Sequence, residues 1–392
     1  MLRQKSYLAS RTLGTLSNSL FMFTVIWWFQ TETDRSSTVG IMNALFSITA
    51  SLAVIYGPFI DRHALKVVSV GALCMQTFIF LLLTLCIFKA KQMIYPILIL
   101  ATLASVCDEF FIPADRAIIK SVVKAERELT QLNSRISLID QSTNFMGVAL
   151  AGALLGFLVV AHVMALVTVL SFAGTLYLMF AIHKLVEPHK EKQQSDHYWQ
   201  EVLTGYTYIK QDHFLFRYLF ASTLYSFVTP MLIVFLPFIA KKMGSAIYYS
   251  GFYIAFFLGF MVGALLAGRL KPLVKTISLY WLLSSLPLLL ILGARTNGVL
   301  IVLAIFLFGF TSSIQNILSE TLIQIRTQSD FLGRVMTTFK TFYSIGGPVG
   351  SLLAGALLDH GQVQMLVIFS MVLIILGGLV LFLQQKERKI DL

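Results

Sequence analysis

Twelve predominantly apolar stretches, each bounded by charge, Gly or Pro, run the length of this 392-residue chain, at 10–30, 38–58, 67–88, 93–113, 137–158, 161–183, 216–239, 247–268, 277–294, 299–320, 338–358 and 364–383. A helix crosses the hydrocarbon of a bilayer with about 20 such residues. Backbone in lipid must satisfy its own hydrogen bonds, which confines apolar spans of this length to helices. Composition agrees, because 57% of the chain is apolar and only 12% is Asp, Glu, Lys or Arg. Soluble proteins carry about 25% charged residues, so there is too little polar surface here to clothe a soluble body. The sequence predicts an all-α membrane protein with twelve transmembrane helices. Connections as short as 89–92 and 295–298 make sequential helices antiparallel neighbours.

The charge balance is the second constraint. With 30 Lys and Arg against 19 Asp and Glu, the net charge is +11, which in a soluble chain would suggest nucleic acid. Twelve spans put both termini on one side, and 24 of the 30 bases fall there; Arg35, Lys89, Lys91, Lys241, Lys242 and Arg295 fall on the other. By the positive-inside rule both termini are cytoplasmic, so the charge encodes orientation and no nucleic-acid partner is implied. The first span follows Arg3, Lys5 and Arg11 as a signal peptide would, yet ends in Trp27, Trp28 and Phe29, where a cleavage site needs small residues. It is read as a retained helix, with both tryptophans near the outer interface and Arg11 snorkelling to the inner surface.

The longest hydrophilic stretch, around 184–217, divides the chain into six spans and six. The expected organisation is an N-terminal half at 1–183, a cytoplasmic linker at 184–215 and a C-terminal half at 216–392. Within the linker Trp199, Val202, Leu203, Tyr206 and Ile209 share one helical face, the pattern of an interfacial amphipathic helix or of an ordinary linker helix. The halves look related: AGALL at 151–155 recurs at 354–358, and PADRAIIK at 113–120 lies at a similar offset from SETLIQIR at 319–326, setting Asp115 against Glu320. A weak repeat of half the chain length is what a transporter made of two six-helix halves leaves in its sequence.

Ionisable residues inside spans cost several kcal/mol and mark function by default. Asp108 and Glu109 lie just before Pro113 in the fourth span, about 100° apart on the helix, so both cannot face lipid. One of them, with Asp140 as a further candidate, is expected to carry a proton; solvation or structural ion pairing is the bland reading. The amides Asn18, Gln76, Gln141, Asn144, Gln315 and Asn316 either line a cavity or bond between helices, and aromatics such as Phe227 and Tyr343 suit a large apolar or cationic ligand. Small-residue steps at Gly152 and Gly156, Gly259 and Gly263, and Gly346 and Gly350 allow close helix approach, and Pro348 is expected to bend its span. Cys74, Cys86 and Cys107 form no Cys-x-x-Cys pair and are read as reduced, buried thiols. No His-Glu-x-x-His motif and no phosphate loop are present, so neither metal nor cofactor is implied and an enzyme is disfavoured.

GPFIDRHALK at 57–66 resembles the loop motif of the major facilitator superfamily, with Gly57, Asp61, Arg62 and Lys66 matching and Ala64 and Leu65 departing. EVLTGYTYIKQDHFLFRYLF at 201–220, IPADRAI at 112–118 and FLGRV at 331–335 are similar to the macrolide and drug efflux branch in particular. The resemblance implies the fold of two pseudo-symmetric six-helix halves, alternating access, and a monomer in a bacterial-type plasma membrane. It implies a gate in which Asp61 pairs with Arg116 or Arg334, with Glu320 as the counterpart in the second half. The implied activity is proton-coupled efflux of a lipophilic drug such as a macrolide; export of a siderophore or other metallophore is the alternative. Small-molecule substrate, protons and lipid are the only partners expected.

Overall fold

The computed structural model describes residues 4–51, 63–88, 93–122, 126–183, 198–294 and 297–387. These form sixteen helices and, among the described residues, no strand. They are α1 (Gln4–Glu32), α2 (Ser36–Ser51), α3 (Leu65–Phe88), α4 (Ile94–Val122), α5 (Glu126–Phe157), α6 (Val160–Ile182), α7 (Tyr198–Gln211) and α8 (His213–Tyr225). There follow α9 (Val228–Lys242), α10 (Ala246–Ala267), α11 (Val274–Leu283), α12 (Leu286–Ala294), α13 (Gly298–Arg326), α14 (Ser329–Ser344), α15 (Gly346–Asp359) and α16 (Val363–Glu387). Among the described residues nine helical stretches are long and apolar enough to cross a membrane. They match the third, fourth, sixth and seventh to twelfth spans of the sequence. Helices α1 and α5 have the length, at 29 and 32 residues, but Ser, Thr, Asn and charged residues dilute their apolar content; the rest of the second span lies outside the described residues.

Three spans are each built from two helices, broken at Ser226–Phe227, Ser284–Ser285 and Ile345. Each break is followed within four residues by a proline: Pro230, Pro287 and Pro348. Proline lacks the N–H for the preceding turn and its ring crowds the carbonyl four residues back, so the helix yields just before it. The bend expected at Pro348 is thus one of three.

The described chain divides into two compact units, Met1–Thr33 with Ile48–Ser195 and Asp34–Ser47 with Asp196–Leu392. In the first, Tyr7, Leu65, Val68, Ala114, Ile118, Ile136 and Leu178 build a core from α1, α3, α4, α5 and α6. Since lipid is as apolar as leucine, helices in a membrane associate through close packing and polar bonds. Accordingly Gly174 of α6 rests on the backbone of Ser10 and Gly14 in α1, and Thr77 and Thr84 of α3 bond Ser171 and Thr168 of α6 at 2.7 and 3.1 Å.

In the second unit the closest seam is α10 against α13. Gly259 and Gly263 face the carbonyls of Phe306 and Phe310, and Gly309 faces that of Phe256; a methyl at any of them would collide with backbone. Gly346 and Gly350 pack likewise on Ser226 and Phe227. The start of α2 belongs here because Asp359 at the end of α15 accepts from the Ser36 and Ser37 amides, at 2.5 and 3.2 Å, and Asn43 donates to Ser351 at 2.6 Å.

Burial bears on three expectations. Trp27 and Trp28 are 9% and 3% exposed, so protein covers both rings. Helix α7 forms with Ile209 buried and Leu203 exposed, and Gly205 and Tyr206 dock it on α14. Cys74 is exposed, Cys86 half-buried and Cys107 buried; all three are free.

Candidate functional site

Two sets of residues stand out, one in each unit. In the first, Arg11 does not reach for the surface as expected: it is the hub of an internal network. Its guanidinium grips Asp140 of α5 with two hydrogen bonds, Nε to Oδ1 at 2.9 Å and Nη2 to Oδ2 at 2.6 Å, and Nη1 reaches Oδ2 of Asp115 in α4 at 2.9 Å. Tyr7 donates to the same Asp115 oxygen at 2.7 Å, and Thr15 to Asp140 at 3.2 Å. Asp115 is 1% exposed, so these partners take the place of water.

Asp108, two turns before Asp115 on α4, is held differently. The Gln76 amide of α3 donates to its Oδ1 at 2.9 Å, and Asn18 of α1 hydrogen-bonds it as well. Neutral amides from two neighbouring helices hold this carboxylate, and it joins no ion pair among the described residues. Glu109 follows it, half-buried. Nearby, Ser19 donates to Asn144 at 2.9 Å, and Gln141 is exposed.

The second unit lines an open-mouthed cavity of about 480 Å³. One wall comes from the glycine seam: Phe256 and Phe260 on α10, then Phe308, Ser312, Gln315, Asn316 and Glu320 on α13. The other comes from Tyr218, Ser222 and Tyr225 on α8, Thr229 on α9, Trp281 on α11, and Met336, Phe339, Lys340 and Tyr343 on α14. Tyr225, Trp281 and Tyr343 each lie within a turn of one of the three helix breaks. Tyr225 shares a 2.7 Å hydrogen bond with Ser312, receives the Gln315 amide, and packs edge-on to Trp281 at 5.3 Å. Its ring stacks on Phe308 at 6.3 Å. Glu320 and Lys340 are exposed, and among the described residues neither makes an ion pair.

Of the residues singled out in the sequence, Gln315, Asn316, Glu320 and Tyr343 come together here. Phe227 sits in the α8–α9 break, its carbonyl against Gly350, away from the cavity lining. Lys66 donates to the His183 carbonyl at 2.6 Å, and the Arg334 guanidinium lies over the Phe331 ring at 5.5 Å. Gly57, Asp61, Arg62 and the Arg116 side chain lie outside the described residues. Tyr225, Trp281, Ser312 and Lys340 were not singled out in the sequence. The available signal was the helical stripe Phe308, Ser312, Gln315, Asn316 and Glu320, one face of α13. No group of three or more His, Cys, Asp or Glu able to hold a metal occurs among the described residues.

The Major Facilitator Superfamily profile matches residues 8–350 and, in a second overlapping match, 255–391. Macrolide efflux protein A of Streptococcus pyogenes is 22% identical over 393 residues, covering 98% of this chain and 96% of that protein. The uncharacterized MFS-type transporter YvqJ of Bacillus subtilis (strain 168) is 24% identical over 403 residues, covering 98% and 94%. Among solved structures, a bacterial homologue of the iron transporter ferroportin in an inward-facing state aligns with a TM-score of 0.75 at 15% identity, over 97% of each chain. The nucleoside transporter NupG aligns with a TM-score of 0.70 at 14% identity, over 100% of each. At these identities the structural likeness speaks to the fold alone.

Proposed function

Because this chain belongs to the Major Facilitator Superfamily, and so is a multi-pass membrane transporter of small molecules, we propose that it exports a lipophilic compound by alternating access in exchange for protons. The halves of the transport cycle are 1–183 and 216–392, joined by the linker 184–215, with both termini in the cytoplasm and the chain in the plasma membrane.

The observation that carries this reading is the setting of Asp108. Protonating Asp115 or Asp140 would take from Arg11 one of its two ion-pair partners, which is costly away from water. Asp108 takes its hydrogen bonds from neutral amides, with Arg11 acting on it only as a nearby charge, so it takes up and releases a proton without breaking an ion pair. Glu109 stands behind it as a secondary carrier, and Asp140, held by Arg11, is the least suited of the three. Asp61, with Arg116 or Arg334, forms the gate latch, and Gly57, Arg62 and Lys66 shape its loop. The aromatic cavity of the second unit supports an apolar body as substrate, bound by dispersion and stacking. Macrolide efflux protein A makes a macrolide the first compound to test. A second reading, export of a metallophore, is favoured by Glu320 and Lys340 in that cavity, since chelators carry acids and amines.

The test is uptake of labelled erythromycin into proteoliposomes under an imposed pH gradient. Asp108→Asn is expected to abolish gradient-driven accumulation while leaving substrate exchange at equal pH intact. Gradient-driven accumulation at the wild-type rate in that variant would remove Asp108 from the mechanism.

A further inference from the structure

The cavity of the second unit carries one carboxylate and one ammonium that do not pair with each other. Glu320 projects from α13 and Lys340 from α14, both exposed and both lining the same cavity as the rings of Tyr218, Tyr225 and Phe339. No ion pair or hydrogen bond holds either side chain among the described residues. While the cavity is wet, water satisfies both. A ligand that fills the cavity expels that water and must supply the opposite charges itself or leave two ions poorly solvated.

From this placement we infer that the cavity selects a zwitterion: a ligand with an aromatic or apolar body that bears both an ammonium and a carboxylate. The ammonium faces Glu320, the carboxylate faces Lys340, and the body lies among the rings. The same two residues act against the wrong ligands. A simple cation is repelled by Lys340 and a simple anion by Glu320, so selectivity arises from repulsion as much as attraction. This inference rests on the reading that the cavity is the substrate site, and it narrows the substrate class from lipophilic to amphiphilic and doubly charged.

The test is calorimetric titration of the purified full-length transporter in lipid nanodiscs with three matched probes. These are the dipeptide phenylalanyl-phenylalanine, its methyl ester and its N-acetyl derivative, which share a body and differ only in charge. The free dipeptide is expected to bind at least about tenfold more tightly than either blocked form, the scale of one well-placed charge pair. Glu320→Gln should bring the dipeptide down to the level of the N-acetyl probe, and Lys340→Met down to the level of the ester. An SDS-unfolding midpoint unchanged from wild type shows that both charge variants are folded, and loss of dipeptide binding in Tyr225→Ala shows that the cavity is the site. A blocked probe binding as tightly as the dipeptide, or charge variants that weaken all three probes equally, would overturn the inference. Absence of binding by every probe while erythromycin still binds also overturns it and leaves the cavity reading standing. Dipeptide binding that survives Tyr225→Ala takes down both.

Discussion

Replacing Arg11 by Met keeps an unbranched apolar stem and removes the charge, which isolates the worth of the network it centres. Three hydrogen bonds of 2.6 to 2.9 Å disappear, two to Asp140 and one to Asp115. The two carboxylates do not suffer equally. Asp140 is 27% exposed and recovers part of its solvation from water, whereas Asp115 is 1% exposed and loses its Arg11 bond with little water to replace it, while its Tyr7 bond stays. Removing one member of a buried ion pair costs about 3–5 kcal/mol; with the Asp140 share offset by water, the loss expected here is about 3 kcal/mol. Neutralising the stranded acid should reverse most of it, so Asp115→Asn in the Arg11→Met background should recover about 2 kcal/mol. The measurement is unfolding of the purified protein by SDS in mixed micelles, with all four members of the double-mutant cycle compared. A loss below about 1 kcal/mol, the level of an exposed pair, or no recovery on neutralising Asp115, would refute the argument that this network is a buried structural hub.

Other substitutions probe the frame around it. Gly259→Leu should destabilise the protein by about 1–3 kcal/mol through overpacking at the α10–α13 seam, while Gly293→Ala, which meets nothing within 4 Å, should stabilise it by up to about 1 kcal/mol; the same SDS titration ranks them, and equal effects would contradict the seam. Asp212 accepts from the Phe214 and Leu215 amides at 2.7 and 3.0 Å and meets Arg326 at 3.3 Å, so Asp212→Ala should cost about 1–2 kcal/mol as a lost helix cap, against a near-neutral Asp212→Asn. In the α1–α2 turn, a hydrogen bond from Lys241, reinforced by its charge, lowers the Asp34 pKa. Its contribution is therefore complete above the unfolded carboxylate value of ~3.9 and fades as pH falls through the lower folded value; a difference between wild type and Asp34→Asn that grows on acidification would contradict that sign.

Span positions were legible because hydropathy over twenty residues averages out local detail, and α3, α6, α10 and α16 begin and end within a few residues of their expected bounds. The breaks at 226–227 and 284–285 escaped the same averaging, although Pro230 and Pro287 stood in the sequence as plainly as Pro348. Arg11 was misplaced for a different reason. Asp115 and Asp140 lie more than a hundred residues away, and nothing in the periodicity of α1 shows that α4 and α5 bring their acids to it. A hint existed, since two acids in or beside apolar spans need a base, but it does not say which one. Asp108 was visible as chemistry from the start; that amides rather than a cation hold it required the packing of Gln76 and Asn18.

The seam between α10 and α13 has a mechanical consequence. Carbonyls of each helix rest directly on glycines of the other, with no side chains between to act as bearings, so the two cannot slide past one another and behave as a single beam. That beam carries Phe256, Phe308, Gln315 and Glu320. The opposite face of the cavity is hung on three helices jointed beside Tyr225, Trp281 and Tyr343. Any change in cavity volume during a transport stroke must therefore come from the jointed side, with the beam as its fixed anvil.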